Sequence, residues 1–238
     1  MGGGAVTDVE TRFETGEAGP VSALFRLPPD ADRLLVLAHG AGAGMRHAFL
    51  ESLVGSLTAR GIATFRYQFP YIEAGHRRPD REPVLVTTVR AAVGAASEVA
   101  GDLPLLAGGK SMGGRMTSRA AAREPLPGVR GLVFFGFPLH APGKPSMDRA
   151  DHLDQVDLPM LFLQGDRDAF AGLELLGPVV DRLGRRATLH LVAGADHGFH
   201  VLKRSGRTDD QVLGELADRA DVWSAGVLAG SGTRGGGR

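Results

Sequence analysis

The 238-residue chain carries 27 lysines and arginines against 27 aspartates and glutamates, so its formal net charge at pH 7 is zero with histidine neutral. That balance removes the electrostatic argument for nucleic acid, an anionic membrane surface or an acidic polymer as partner. The absence of cysteine excludes disulfides and thiolate metal sites, and a hydrophobic content of 43% is ordinary for a chain of this length burying one large core.

At the start, Met1-Gly2-Gly3-Gly4 is followed by acidic residues rather than by a basic and then apolar stretch, and no apolar run approaches bilayer-spanning length. A soluble cytoplasmic protein without membrane contact is expected. Val6 to Phe13 and Val21 to Leu27 predict two opening strands, joined as a hairpin through the turn-rich Thr15-Gly16-Glu17-Ala18-Gly19-Pro20. The apolar run Leu34 to Ala38 predicts a strand ending in His39-Gly40-Ala41-Gly42-Ala43-Gly44, whose small residues let backbone amides approach a bound oxygen. A phosphate-cradling loop is disfavoured, because neither the G-x-x-x-x-G-K-[ST] spacing nor the context of a Rossmann G-x-G-x-x-G is present. Phe49, Leu53, Val54 and Leu57 fall on one face of a helix predicted from about 46 to 60, with Gly61 as its stop. A strand over Ala63 to Tyr67 follows, then a proline-rich excursion from Phe69 to Pro83, then an alanine- and valine-rich helix from Val84 to about Val99.

Leu103 to Ala107 predicts a short buried strand, and Met112 to Glu124 a helix with Arg115, Arg119 and Arg123 at helical spacing. Between them lies Gly109-Lys110-Ser111-Met112-Gly113, a G-x-S-x-G in the strand-turn-helix context that the nucleophile elbow requires. A side chain on either flanking position would collide with the adjacent chain, and the turn presents the serine hydroxyl at a helix N-terminus that favours developing negative charge. The bland alternative is a glycine-rich strand-to-helix turn with an ordinary serine. Beyond it, a strand over Val129 to Phe135 leads to an irregular exit, Gly136 to Pro145, and a short helix near Asp148 to Gln155. The strand Pro159 to Gln164 runs into Gly165-Asp166-Arg167-Asp168. A helix around Leu173 to Leu183 and a strand from Ala187 to Val192 lead to Gly194-Ala195-Asp196-His197-Gly198-Phe199. A final helix is predicted from Asp209 to about Leu228. The unbroken alternation argues for one domain over 1–230, with 231–238 a disordered glycine-rich tail.

The order Ser111, Asp168, His197, each after a predicted strand, resembles that of the α/β-hydrolase superfamily from Val21 to the final helix. A closer resemblance is to small, nearly lidless bacterial hydrolase-like proteins related to dienelactone hydrolases. It rests on Gly109 to Arg115 and on Phe65-Arg66-Tyr67-Gln68-Phe69-Pro70-Tyr71 with Arg77-Arg78-Pro79-Asp80. That group in turn resembles a domain in a subunit of a eukaryotic histone acetyltransferase complex. The resemblance implies a three-layer α/β/α fold with a mostly parallel central sheet, an antiparallel N-terminal strand pair and a minimal cap. It implies Ser111 as nucleophile, His197 as general base, and Asp168 as the acid in preference to Asp166, which suits a turn-capping role. It implies the amides of Ala41 and Met112 as oxyanion donors, with Gly42 close behind. No metal or organic cofactor is implied. True dienelactone hydrolases use a cysteine nucleophile, which this chain lacks, so that activity is not carried over.

The expected activity is hydrolysis of a carboxylic ester or thioester through an acyl-enzyme, on a small-molecule acyl substrate that the short cap suggests is short or polar. Gly42, Phe69, Tyr71 and Arg77 are candidate substrate contacts. Arg77 and Arg78, if they face the pocket, favour a substrate carboxylate or phosphate; the alternative expectation is that they are solvated and paired with Asp80 or Glu82. His39 is expected to brace its loop, His190 to be packed or solvated in its strand, and Lys110 either to tune a nearby group or to brace the elbow. Two other readings use the same residues: a non-catalytic or weakly active hydrolase fold kept as a binding module, and acyl transfer to an acceptor other than water. Oligomeric state is left open.

Overall fold

Period-two alternation in the central strands, with side chains buried on both faces, dictates a sheet covered by helices on each side. The computed structural model describes residues 6–232. Its strands are β1 (Val9–Glu14), β2 (Pro20–Arg26), β3 (Arg33–Ala38), β4 (Ile62–Tyr67), β5 (Leu105–Lys110), β6 (Val129–Phe135), β7 (Met160–Gly165) and β8 (Ala187–Val192). They form one sheet in the order β1-β2-β4-β3-β5-β6-β7-β8. The β1–β2 and β2–β4 pairs are antiparallel and the other five pairs parallel.

The helices are α1 (Ala48–Thr58), α2 (Pro70–Glu73), α3 (Glu82–Ala100), α4 (Met112–Arg123), α5 (Leu173–Leu183) and α6 (Asp209–Gly232). Leu34, Val36, Ala38, Phe134 and Phe162 pack against the inner faces of α3, α4 and α5. Their strand neighbours Leu35, Leu37, Val133, Phe135 and Leu163 point the other way, onto Leu53 and Leu57 of α1 and Leu216 of α6. Each such leucine contributes about 1.5–3 kcal/mol when fully buried. Arg66 of β4, fully buried, is neutralised by Asp8 at 2.6 Å and Glu51 at 2.8 Å, which ties the N-terminal segment and α1 to the sheet.

Some boundaries differ from the sequence expectations for identifiable reasons. The excursion after β4 contains the short helix α2, started by Pro70 at its first turn, where the missing N–H costs nothing. Strand β5 continues through two glycines to Lys110, because a side chain on Gly108 would run into the Val133 carbonyl of β6. By length and composition α3 passes as a membrane span, yet its Leu85, Val89, Ala92, Val93 and Ala96 are buried in the core. Between β6 and β7 only a 3-10 segment, Asp148–Gln155, stands where a cap would be. The backbone of α6 is helical to Gly232, which takes in the first two positions of the expected tail; 233–238 lie outside the described residues.

Candidate active site

The elbow is built by exclusion. Ser111 has φ 52° and ψ −117°, a positive φ outside the regions an L-residue ordinarily occupies and costing about 1–3 kcal/mol of backbone strain. Tertiary contacts hold it there. Its N–H donates to the Phe135 carbonyl and its carbonyl accepts from the Arg115 N–H, both at 3.1 Å. A Cβ on Gly109 would stand 2.5 Å from the Ala38 carbonyl oxygen, and one on Gly113 would stand 2.5 Å from that of His39. Both glycines are therefore required for α4 to sit against the end of β3.

Around Ser111 the chain closes a hydrogen-bond series. Ser111 Oγ is 2.8 Å from His197 Nε2, and His197 Nδ1 is 2.7 Å from Asp168 Oδ2. An ionised carboxylate only accepts, so Nδ1 carries the proton and Nε2 presents its lone pair to the serine. The Asp168 side chain is fully buried. Its second oxygen accepts from the Phe170 N–H at 2.7 Å, and Oδ2 also accepts from the Gln164 amide. Phe170 then turns its ring onto His197, with centroids 4.2 Å apart and planes 29° from parallel. The loop carrying His197 turns at Phe199, φ 64°, and is pinned by Asp196, which accepts from the N–H groups of Gly198 and His200.

Lys110 braces that loop through a carbonyl rather than a carboxylate: its Nζ donates to His197 O at 2.5 Å between the rings of Phe199 and Phe49. Burial pulls its pKa down to about 8, against the opposing pull of Asp168 and Asp196. His39 is fully buried. Its Nδ1 donates to the Gly40 carbonyl and its Nε2 accepts the Phe69 N–H at 3.1 Å, so it fixes the loop after β3 to the excursion after β4. Desolvation lowers its pKa to about 4, which keeps it neutral. Asp166 accepts from the Gly194 N–H, and His190 pairs with Glu215.

The pocket expectations divide. Ala41 lies beside Ser111 and lines both cavities that open there, of about 350 and 310 Å³. The Gly42 N–H is occupied by the Tyr71 hydroxyl at 3.1 Å, leaving Ala41 the better placed of the two amides. Phe69 and Tyr71 are buried and pack on His39 and each other; neither lines a cavity at Ser111. Arg77 is exposed and likewise outside both cavities, where its neighbours Pro79 and Asp80 do line the larger one. Phe170, Gln164, Arg115 and Arg149 occupy the site and were not anticipated. Phe170 and Gln164 leave no local signal, since only long-range packing brings them to Asp168.

Matching to known families aligns residues 31–225 with the model described as alpha/beta hydrolase domain. The chain belongs to that family. Solved structures with the same alpha/beta hydrolase fold include a dienelactone hydrolase from Anabaena variabilis, 19% identical over 92% of this chain and 97% of that one, with a TM-score of 0.72. An alpha-beta serine hydrolase homologue from Coxiella burnetii is 18% identical over 91% and 99%, at 0.71. A member of the a/b serine hydrolases without lid, from Xanthomonas campestris, is 20% identical over 91% and 95%, also at 0.71.

Against this alpha/beta hydrolase frame a second serine-histidine contact stands apart. Within α4, Ser118 Oγ lies 2.8 Å from His152 Nε2 of the 3-10 segment, both side chains buried. The hydroxyl already donates to the Arg115 carbonyl at 2.9 Å, and His152 Nδ1 has no hydrogen-bond partner among the described residues.

Proposed function

We propose that the protein is a serine hydrolase that cleaves a carboxylic ester or thioester through an acyl-enzyme. The observation that carries this reading is the hydrogen-bonded series from Ser111 through His197 to the buried Asp168, opening on two cavities. A serine hydroxyl is a weak nucleophile at neutral pH. As Ser111 Oγ bonds to the carbonyl carbon, His197 Nε2 takes its proton, while Asp168 holds the tautomer and stabilises the imidazolium. The N–H groups of Ala41 and Met112 are the proposed donors to the oxygen that gains the charge, and loss of one such donor typically costs about 3 kcal/mol of barrier. Collapse of the tetrahedral species breaks the bond to the leaving group, which departs with the histidine proton. Water then repeats the sequence on the acyl-serine. Nothing in this scheme requires a metal or an organic cofactor, and a small-molecule acyl compound is the proposed substrate.

Labelling with a fluorophosphonate, read by intact mass, tests the reading. The expected result is one adduct per chain, absent in Ser111→Ala and in His197→Ala. A folded wild-type protein that takes up no label would leave the fold as a binding module without an activated serine.

A further inference from the structure

The larger cavity beside Ser111 has an unusual floor. Arg115 stands one helical turn beyond the nucleophile on α4, so the i, i+4 relation puts both on one face. Arg149, from the 3-10 segment that stands where a cap would be, lines the same cavity. Among the described residues neither guanidinium forms an ion pair, whereas the neighbouring Arg119 and Arg123 share Glu82. Arg115 Nε is buried without a hydrogen-bond partner. Leaving buried donors unsatisfied is costly, and two unbridged guanidinium groups beside each other repel.

We propose that Arg115 and Arg149 bind a carboxylate carried by the substrate, so that the protein acts on esters or thioesters with a negatively charged end. The proposal rests on the acyl-enzyme reading above and adds its substrate class. The guanidinium fork matches a carboxylate, which would give the two cations a shared counter-ion. The rest of the cavity sets the charge of the guest. Glu82 is already neutralised by Arg119 and Arg123, while Asp80 accepts from the Tyr71 N–H and remains a negative wall, which suits a monoanion. Leu85, Met112, Met116 and Pro138 fill the remainder, so a short apolar spacer between the reacting carbonyl and the carboxylate fits. Burial first, then the charges of Arg149 and Arg119, push the Arg115 pKa down, with Glu82 opposing.

Two matched ester pairs test the idea on either side of the scissile bond. One is mono-4-nitrophenyl glutarate against 4-nitrophenyl valerate; the other is 4-carboxyphenyl acetate against its methyl ester. The wild type should prefer the anionic member of one pair by 10-fold or more in kcat/KM, and the preference should shrink with added salt. Arg115→Met and Arg149→Met should each cut that ratio about 10-fold, while Arg130→Met, at an exposed position on β6, should leave it alone. A ratio near one in both pairs, or one indifferent to both substitutions, overturns the proposal. If the protein neither takes fluorophosphonate nor turns over any of the four esters, the acyl-enzyme reading fails by itself. Calorimetry with monomethyl glutarate, a monoanion, then decides the anion site separately: binding lost in Arg149→Met supports it, and no binding to the wild type rejects it.

Discussion

Two serines of one helix, Ser111 at its N-terminus and Ser118 two turns further on, lie 2.8 Å from a histidine nitrogen, and their environments make them opposites. At Ser111 the far nitrogen of His197 meets a carboxylate, so the near nitrogen is a free base aimed at the hydroxyl. At Ser118 the hydroxyl proton points to the Arg115 carbonyl, so His152 Nε2 is the donor and its lone pair, on Nδ1, faces away from the serine. Burial, with Arg119 and Arg115 nearby, drives the His152 pKa down to about 3, whereas a base must be able to hold a proton at working pH. A short contact alone is therefore no sign of activation; the third group decides.

The strongest way to break this contrast is substitution of each serine. Ser111→Ala should lower kcat for any turned-over ester by about 10⁴–10⁶-fold, the range seen when a triad nucleophile is removed. Ser118→Ala should leave kcat within about 3-fold and instead cost about 1–3 kcal/mol of stability, because His152 Nε2 loses its acceptor in a dry site. Steady-state kinetics and urea unfolding on both variants read the two effects. Comparable rate losses in both would end the distinction.

The same contrast explains what was legible in the sequence. The elbow was readable because its constraints are local: Gly109, Ser111 and Gly113 sit within five residues, and the glycines are demanded by backbone approach. The order of strands and helices was readable from apolar periodicity, and the alpha/beta hydrolase family membership from the motifs together. Side-chain direction after a strand end was not. Phe69 and Tyr71 follow a strand end as pocket residues would, yet they pack inward on the buried His39. Arg77 looked equivalent to any arginine near the site, and Arg115 looked like one of three helical surface charges. The packing of the 3-10 segment against α4 makes Arg115 a cavity residue, while Arg77 stays solvated.

A second effect, in stability rather than rate, separates the buried histidines from the rest. His39 and His152 have folded pKa values near 4 and 3, below the ordinary 6.5, so between pH 6.5 and about 4 the unfolded chain binds protons that the folded chain does not. Stability must then fall as pH falls through that window, by on the order of 2 kcal/mol per histidine between pH 7 and 5. The lowered carboxylates Asp8 and Glu73 lose their contribution only below about 4.5, outside this interval. Exposed His200, raised by Asp209, works in the opposite sense but at a solvated surface. Urea unfolding at pH 7 and pH 5 should show the loss, and His152→Gln should remove about half of it. A wild-type stability that is flat over this range would contradict the neutral, buried state of both rings.

The smallest effect concerns the group behind the acid. Gln164, fully buried on β7, donates its amide to Asp168 and accepts the Phe137 N–H at 2.9 Å, so it cannot be turned round without breaking one bond. Gln164→Leu should strand that N–H and take one donor from Asp168, costing about 1–3 kcal/mol of stability and roughly 10-fold in kcat/KM. Gln164→Glu is more informative. It is nearly isosteric but sets a second carboxyl against the first, and two carboxyls so close share a proton. With the pair holding a proton near neutral pH, Asp168 stabilises the imidazolium less, so the acid limb of the pH–rate profile should move to lower pH while the fold survives. Mere packing by Gln164 predicts the reverse: a loss for the leucine variant without any shift of that limb in the glutamate variant.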